Sequence, residues 1–158
     1  MVRPAPWRDR HRHQLRLSPG EVAVRRCVDA EIAAQLATVE QERAKEIDVV
    51  RRLGVWHGDV IVFDRFADVG ARSPGFLGYL LFPTCLYAAS ATRTTDSIKI
   101  SVGVNPWTKQ TRRHDIGELC ARYGGGGHAV VGGVTLRGDE VARAKETLAS
   151  LVRDLAGP

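Results

Sequence analysis

Cysteine is scarce in this sequence and poorly placed for any framework. Cys27, Cys85 and Cys120 are odd in number, widely spaced, and form neither a C-x-x-C pair nor a zinc-ligand pattern. A disulfide scaffold and a zinc ribbon are thereby excluded. Each cysteine falls in a segment that reads as buried, as expected of small core residues in a reducing cytosol. Long apolar runs are missing as well, and no stretch reaches the roughly 20 residues that cross a bilayer. The N-terminus is rich in Arg and His and has no apolar signal core, so a cytoplasmic protein is expected. No internal repeat occurs, and the one biased tract is a run of glycines.

What remains is an ordinary globular composition: 158 residues, 44% apolar and 26% charged. That is enough chain for one domain with a real core. The formal net charge of +5 suits an anionic ligand such as a nucleotide, nucleic acid or polyphosphate.

Residues 1–17 hold five arginines, His11 and His13 without apolar period, and read as a loose basic arm. The Asp9-x-His11-x-His13 string resembles metal ligands only superficially, because the neighbouring arginines would repel a cation. Residues 18–54 read as a helical connector. Ser18-Pro19-Gly20-Glu21 is a start signal. Val24, Val28, Ile32, Leu36 and Val39 make an apolar stripe, Ile47, Val50 and Leu53 continue it, and Gly54 is the stop. One long helix and two broken ones are both open. Such a stripe needs the following sheet or another domain to lie against.

Residues 55–158 read as the folded domain. Asp59–Asp64 is a nearly continuous apolar strand, covered on both faces. Phe76–Phe82 is a short buried helix, ended before Pro83. Cys85–Arg93 and Ile98–Val104 are strands joined by the turn Thr94–Ser97, a hairpin. Asn105-Pro106-Trp107 opens a loop carrying Lys109, Arg112 and Arg113. Asp115, with Glu118 three residues on, caps a helix whose apolar side is Ile116, Leu119 and Cys120. Val130–Leu136 is a fourth strand, and Asp139 caps a last helix with Val141, Ala144, Leu148, Leu151, Val152 and Leu155 inward. The class expected is α/β (α+β): a mixed sheet of about four to five strands packed with helices, preceded by a long N-terminal connector helix.

Between the third helix and the fourth strand stands Tyr123-Gly124-Gly125-Gly126-Gly127-His128. Glycine loses more backbone freedom on folding than any other residue, so four in a row need a reason. Missing side chains let a ligand approach backbone N–H groups, successive N–H groups can form an anion-binding nest, and His128 adds a donor or acceptor beside them. The bland alternative is a linker, but linkers keep Gly/Ser company and these flanks are Tyr123 and an apolar strand.

Ser101–Trp107, His114-Asp115-Ile116 and Leu119–Gly132 together resemble the DHH-associated domain, the C-terminal half of DHH-family phosphoesterases. That family includes RecJ-type single-strand exonucleases, oligoribonucleases, cyclic-dinucleotide phosphodiesterases and exopolyphosphatase-like proteins. The resemblance runs from about Asp59 to the C-terminus, with the preceding helix similar to the interdomain connector. It implies a division of labour. The N-terminal DHH half carries Asp and His ligands for two divalent metals, usually manganese, and the C-terminal half presents its GGGH loop to the substrate. The substrate-binding set it implies here is Gly124, Gly125, Gly126, Gly127 and His128, with Arg93 and Asn105 as looser members. Many members have Ala at the third position after the motif His, where this chain has Val131.

The sequence contains no Asp-His-His triplet, and Asp59, Asp64 and Asp68 are spaced as strand-end and turn carboxylates. No catalytic residue and no metal ligand is therefore assigned, and manganese is expected only in a separate DHH half. The function expected is a module binding single-stranded nucleic acid, a nucleotide or another phosphate-bearing ligand, partnered by a DHH catalytic domain in another chain. A hydrolase using His128 alone, and a structural or interaction protein with a vestigial loop, either a homodimer or the remnant of a truncated phosphoesterase, stand as alternatives.

Overall fold

The computed structural model describes residues 19–157, with side chains from residue 30 onward. The arm of residues 1–17 and the Ser18 cap lie outside the described residues, and the Cys27 side chain lies outside the described side chains. The chain divides into two compact units, 1–43 and 44–158.

Helix α1 (Pro19–Leu53) is a single helix of 35 residues. It gives way to strand at Gly54. Ile32, Leu36 and Val39 all stay about half exposed, so the expected covering of this part of the stripe is absent among the described residues. In the second unit the end of the helix is different, and Val50 is fully buried.

Six strands follow in one sheet, against the four to five expected, in the order β1-β2-β3-β4-β6-β5. They are β1 (Gly54–His57), β2 (Val60–Val69), β3 (Tyr87–Arg93), β4 (Ser97–Val104), β5 (Gly126–His128) and β6 (Val131–Arg137). The two additional strands are the outer ones. β1 has only four residues and no buried position, so neither length nor pattern announces it. β5 lies inside the glycine run, where strand propensity is lowest.

Only β2 and β3 pair in parallel; every other neighbour is antiparallel. A parallel pair needs a crossover, and α2 (Phe76–Leu81) supplies it. β3 and β4 form the expected hairpin. Helices α3 (Ile116–Ala121) and α4 (Val141–Ala156) cover one face of the sheet. There Tyr87, Ala89 and Ala91 of β3, Ile98, Ile100 and Val102 of β4, and Val134 and Leu136 of β6 meet Leu148, Leu151 and Leu155 of α4. The opposite face of β2, with Ile61 and Phe63, packs under Val50, Leu77 and Phe82. β2 is thus covered on both sides, as its unbroken apolar run requires.

Two local expectations need correction. Phe76 and Leu80 of α2 are largely exposed, so that helix is not a buried one. Its six residues can turn only one side to the sheet. Asp139 does not cap α4. The N-cap is Glu140 without a side-chain cap, while Asp139 pairs with Arg137 at 2.9 Å. Glu140 instead accepts from the Arg137 backbone N–H, which, ahead of its Arg143 contact, lowers its pKa. By contrast Asp115 caps α3 as its sequence indicates, accepting from the Glu118 N–H at 3.0 Å. Cys85 and Cys120 are buried, and burial raises both thiols above their ordinary pKa.

Candidate functional site

Four glycines in a row turn out to have different reasons to be glycine. Gly124 ends α3 with φ +81°, a conformation that suits a helix stop without a Cβ. Its N–H and that of Gly125 donate to Ala121 and Cys120 carbonyls, at 3.1 and 3.0 Å, so these two amides are occupied by the helix end. At Gly127 a Cβ would collide with the Val131 carbonyl oxygen and the Gly132 Cα, and Gly125 is similarly pressed on Gly133. Gly126 alone has neither a positive φ nor anything within 4 Å of a would-be Cβ. Three of the four positions are explained by turn and packing. Gly126 is the one left open to an approaching molecule.

The register says which way the open residue faces. Directly paired residues share a sheet face. Ser90, Ser101, Gly133 and Gly126 form one row across β3, β4, β6 and β5, and Ala88, Gly103, Val131 and His128 form the next. A third row holds Thr92, Lys99 and Thr135. These rows lie on the face away from α3 and α4. They are small and polar, and His128, Val131, Lys99 and Thr135 are exposed. Gly126 and His128 therefore look out over an open, small-residue sheet face from its edge strand.

The other expected site residues behave differently. Asn105 is 1% exposed. Its amide donates to the carbonyls of Pro83 and Cys85, at 3.1 and 3.0 Å, and its oxygen accepts from the Trp107 N–H at 3.0 Å. Its polar atoms are thus taken up in fixing the loop that carries Trp107. Arg93 is not brought to the glycines. It pairs through Ile98 with Leu136, three residues farther along β6 than Gly133, the partner of Gly126, or roughly 10 Å along the strand, with β4 and β6 lying between Arg93 and β5. It also belongs to the helix-covered face, and its Nε donates to the Gly138 carbonyl at 3.2 Å.

The basic loop divides its charges. Arg113 is tied to Asp59 at 2.9 Å and lies over the Tyr87 ring. Arg112 is exposed and donates to the carbonyls of His114 and Ala129, at 3.2 and 3.4 Å. Ala129 follows His128 directly, so Arg112 brings a cation to the glycine edge. Its residue type put it in the basic loop, but nothing local singled it out from Arg113.

A pocket of about 490 Å³ opens on the same face, lined among others by Ser90, Ser101, Gly103, Val131, Tyr79 and Phe76. Tyr79 reaches over β4, so closely that a Cβ at Gly103 would meet its hydroxyl. Burial, ahead of the nearby Cys85, pushes the Tyr79 pKa up to about 12. The pocket escaped notice in the sequence because its walls come from α2, β4 and the start of β6.

The chain shares its fold with a phosphodiesterase. A stretch of the pGpG-specific phosphodiesterase PggH from Vibrio cholerae superposes with a TM-score of 0.55 at 22% identity, over 69% of this chain and 38% of that one. At that identity the likeness is one of fold. This chain therefore matches well under half the length of that protein. An exopolyphosphatase-related protein from Bacteroides fragilis aligns at 19% identity over 73% of this chain and 36% of its own, with a TM-score of 0.47. The C-Ala domain of Aquifex aeolicus alanyl-tRNA synthetase aligns at 19% identity over 66% of this chain and 98% of its own, with a TM-score of 0.41. At those scores the latter two carry no argument. No protein-family model matches the sequence, and no curated protein matches it.

Among the described residues no group of three or more His, Cys, Asp or Glu is placed to hold a metal ion. No helix among the described residues is long and apolar enough to cross a membrane.

Proposed function

We propose that this chain is a substrate-binding module for a phosphate-bearing ligand, single-stranded nucleic acid or a short nucleotide, with hydrolysis supplied by a separate metal-carrying DHH half. The observation that carries the reading is the edge strand β5. It sets an unencumbered glycine, Gly126, beside an exposed histidine, His128, on an open sheet face, with the Arg112 guanidinium against the next residue. A phosphate can approach the backbone at Gly126 where any larger residue would stand in the way. His128 and Arg112 supply donors to its oxygens, and Arg112 adds a fixed charge. Gly124, Gly125 and Gly127 shape the strand, and Asn105 holds the neighbouring loop. Arg93, on the helix-covered face with its Nε on the Gly138 carbonyl, stands apart from this contact.

The test is titration of a labelled single-stranded oligonucleotide into the purified chain at several salt concentrations. Binding is expected to weaken as salt rises, and His128→Ala and Arg112→Ala are each expected to lower affinity. No binding at low salt would end the proposal. A homodimer is the second reading, favoured by the exposed Ile32, Leu36 and Val39 on one side of α1. Light scattering on the native chain and on Leu36→Glu tests it, and a monomer in both would reject it.

A further inference from the structure

Three aromatic side chains stand together beside the pocket, and the core uses none of them fully. Phe76 and Trp107 are 68% and 57% exposed. Their ring centroids are 6.0 Å apart, and Tyr79 stands 6.4 and 6.5 Å from them. Large aromatics left in water at one place, at the mouth of a concave site, are the signature of a stacking surface. Trp107 is also held there: its backbone N–H is clamped by the buried Asn105 oxygen at 3.0 Å. The backbone that carries the ring is thereby fixed.

Its position ties it to the glycine edge. The pocket floor includes Ser101 and Gly103, and its far wall is Val130 and Val131. Gly103, Val131 and His128 are consecutive across three strands, so His128 stands about 10 Å from the floor at two strand spacings. That is about the span from a nucleobase to its phosphate. One end of the surface is flat, apolar and aromatic, and the other carries His128 and the cation of Arg112.

We infer that the pocket beside Phe76, Tyr79 and Trp107 binds the nucleobase of the ligand whose phosphate meets Gly126 and His128. The inference rests on the proposed phosphate site and narrows it, because an inorganic polyphosphate has no use for an apolar cleft. The Ser101 hydroxyl supplies a hydrogen bond on the floor, the buried Ser90 hydroxyl being paired with Ser73 at 2.9 Å, while stacking on Trp107 and Phe76 is tolerant of base identity.

The experiment compares the 5′-phosphorylated dinucleotide pApA with tripolyphosphate by calorimetry at low salt, on the native chain and on Trp107→Ala, Trp107→Phe, Phe76→Ala and His128→Ala. Circular dichroism checks that each variant is folded, as expected for exposed positions. The native chain is expected to prefer pApA. Trp107→Ala is expected to weaken pApA about tenfold or more and to leave tripolyphosphate unchanged, with Trp107→Phe restoring most of the loss. His128→Ala is expected to weaken both ligands. Equal affinity for the two ligands, or an equal loss of both in Trp107→Ala, would overturn the base pocket while the phosphate site stands. No binding of either would overturn both. A dimer in light scattering that Trp107→Ala dissociates would give the platform to a second copy and overturn the inference.

Discussion

Placing a methyl group on Gly127 would press it against the carbonyl oxygen of Val131 and the Cα of Gly132, and bring it 3.1 Å from the Gly132 nitrogen. All three are backbone atoms of β6. That strand is locked on its other side by seven paired positions with β4, so no flexible side-chain end can move aside. Overpacking of this kind costs about 1–3 kcal/mol, and a side chain at φ +154° adds about 1–3 kcal/mol more. A loss of about 3 kcal/mol is therefore expected for Gly127→Ala, lowering Tm by on the order of 10 °C. Gly126→Ala, two residues into the same motif's run, adds a methyl where nothing lies within 4 Å. Its stability should stay within about 0.5 kcal/mol of the native chain, while its affinity for an oligonucleotide falls. Urea unfolding followed by circular dichroism measures both variants, and the titration described above measures binding. If Gly127→Ala unfolds like the native protein, or if Gly126→Ala is equally costly, the division of the glycines into packing and ligand-facing positions is wrong.

Asn105→Ala should cost about 1–3 kcal/mol, because one buried and two partly buried backbone groups lose their partner together; urea unfolding reads it, and a change near zero would mean that the carboxamide is dispensable. Glu46→Gln should destabilise through Arg65, a buried guanidinium bonded to Glu46 at 2.6 Å and to the Arg72 carbonyl at 2.8 Å. Because Glu46 is itself partly exposed, a loss of about 1–2 kcal/mol is expected rather than the larger figure for a fully buried pair. Tyr79, raised to about 12 by burial, keeps its proton in the folded chain after the unfolded chain has lost it. Its contribution is full below pH 10 and is lost as pH rises through about 12, so unfolding stability should fall across that window and fall less in Tyr79→Phe. Equal slopes in the two proteins would show that the hydroxyl is not buried as described.

Much of the fold was legible from near-neighbour patterns. The Asp115–Glu118 cap, the apolar side of α4 and the alternation of β4 are set by residues within a turn or two of one another, and local spacing is enough to read them. The glycine motif was legible for the same reason, as a contiguous string. The edge strands were not. β5 is a strand only because β6 pairs with it, and its glycines would not choose extended backbone unaided.

The sequence by itself determined most of the core between sheet and helices and which segments are helices, and it marked the glycine run with His128 as the place of the proposed contact. Tertiary structure alone decided the face each residue serves. A one-residue slip in register would turn His128 from the open face to the covered one, and no local pattern sets that register. Long-range pairing also set Arg93 on the helix-covered face with β4 and β6 between it and the glycine edge, sank Asn105 beneath the loop it was expected to decorate, and brought Trp107 against Phe76 and Tyr79 of α2 beside one pocket.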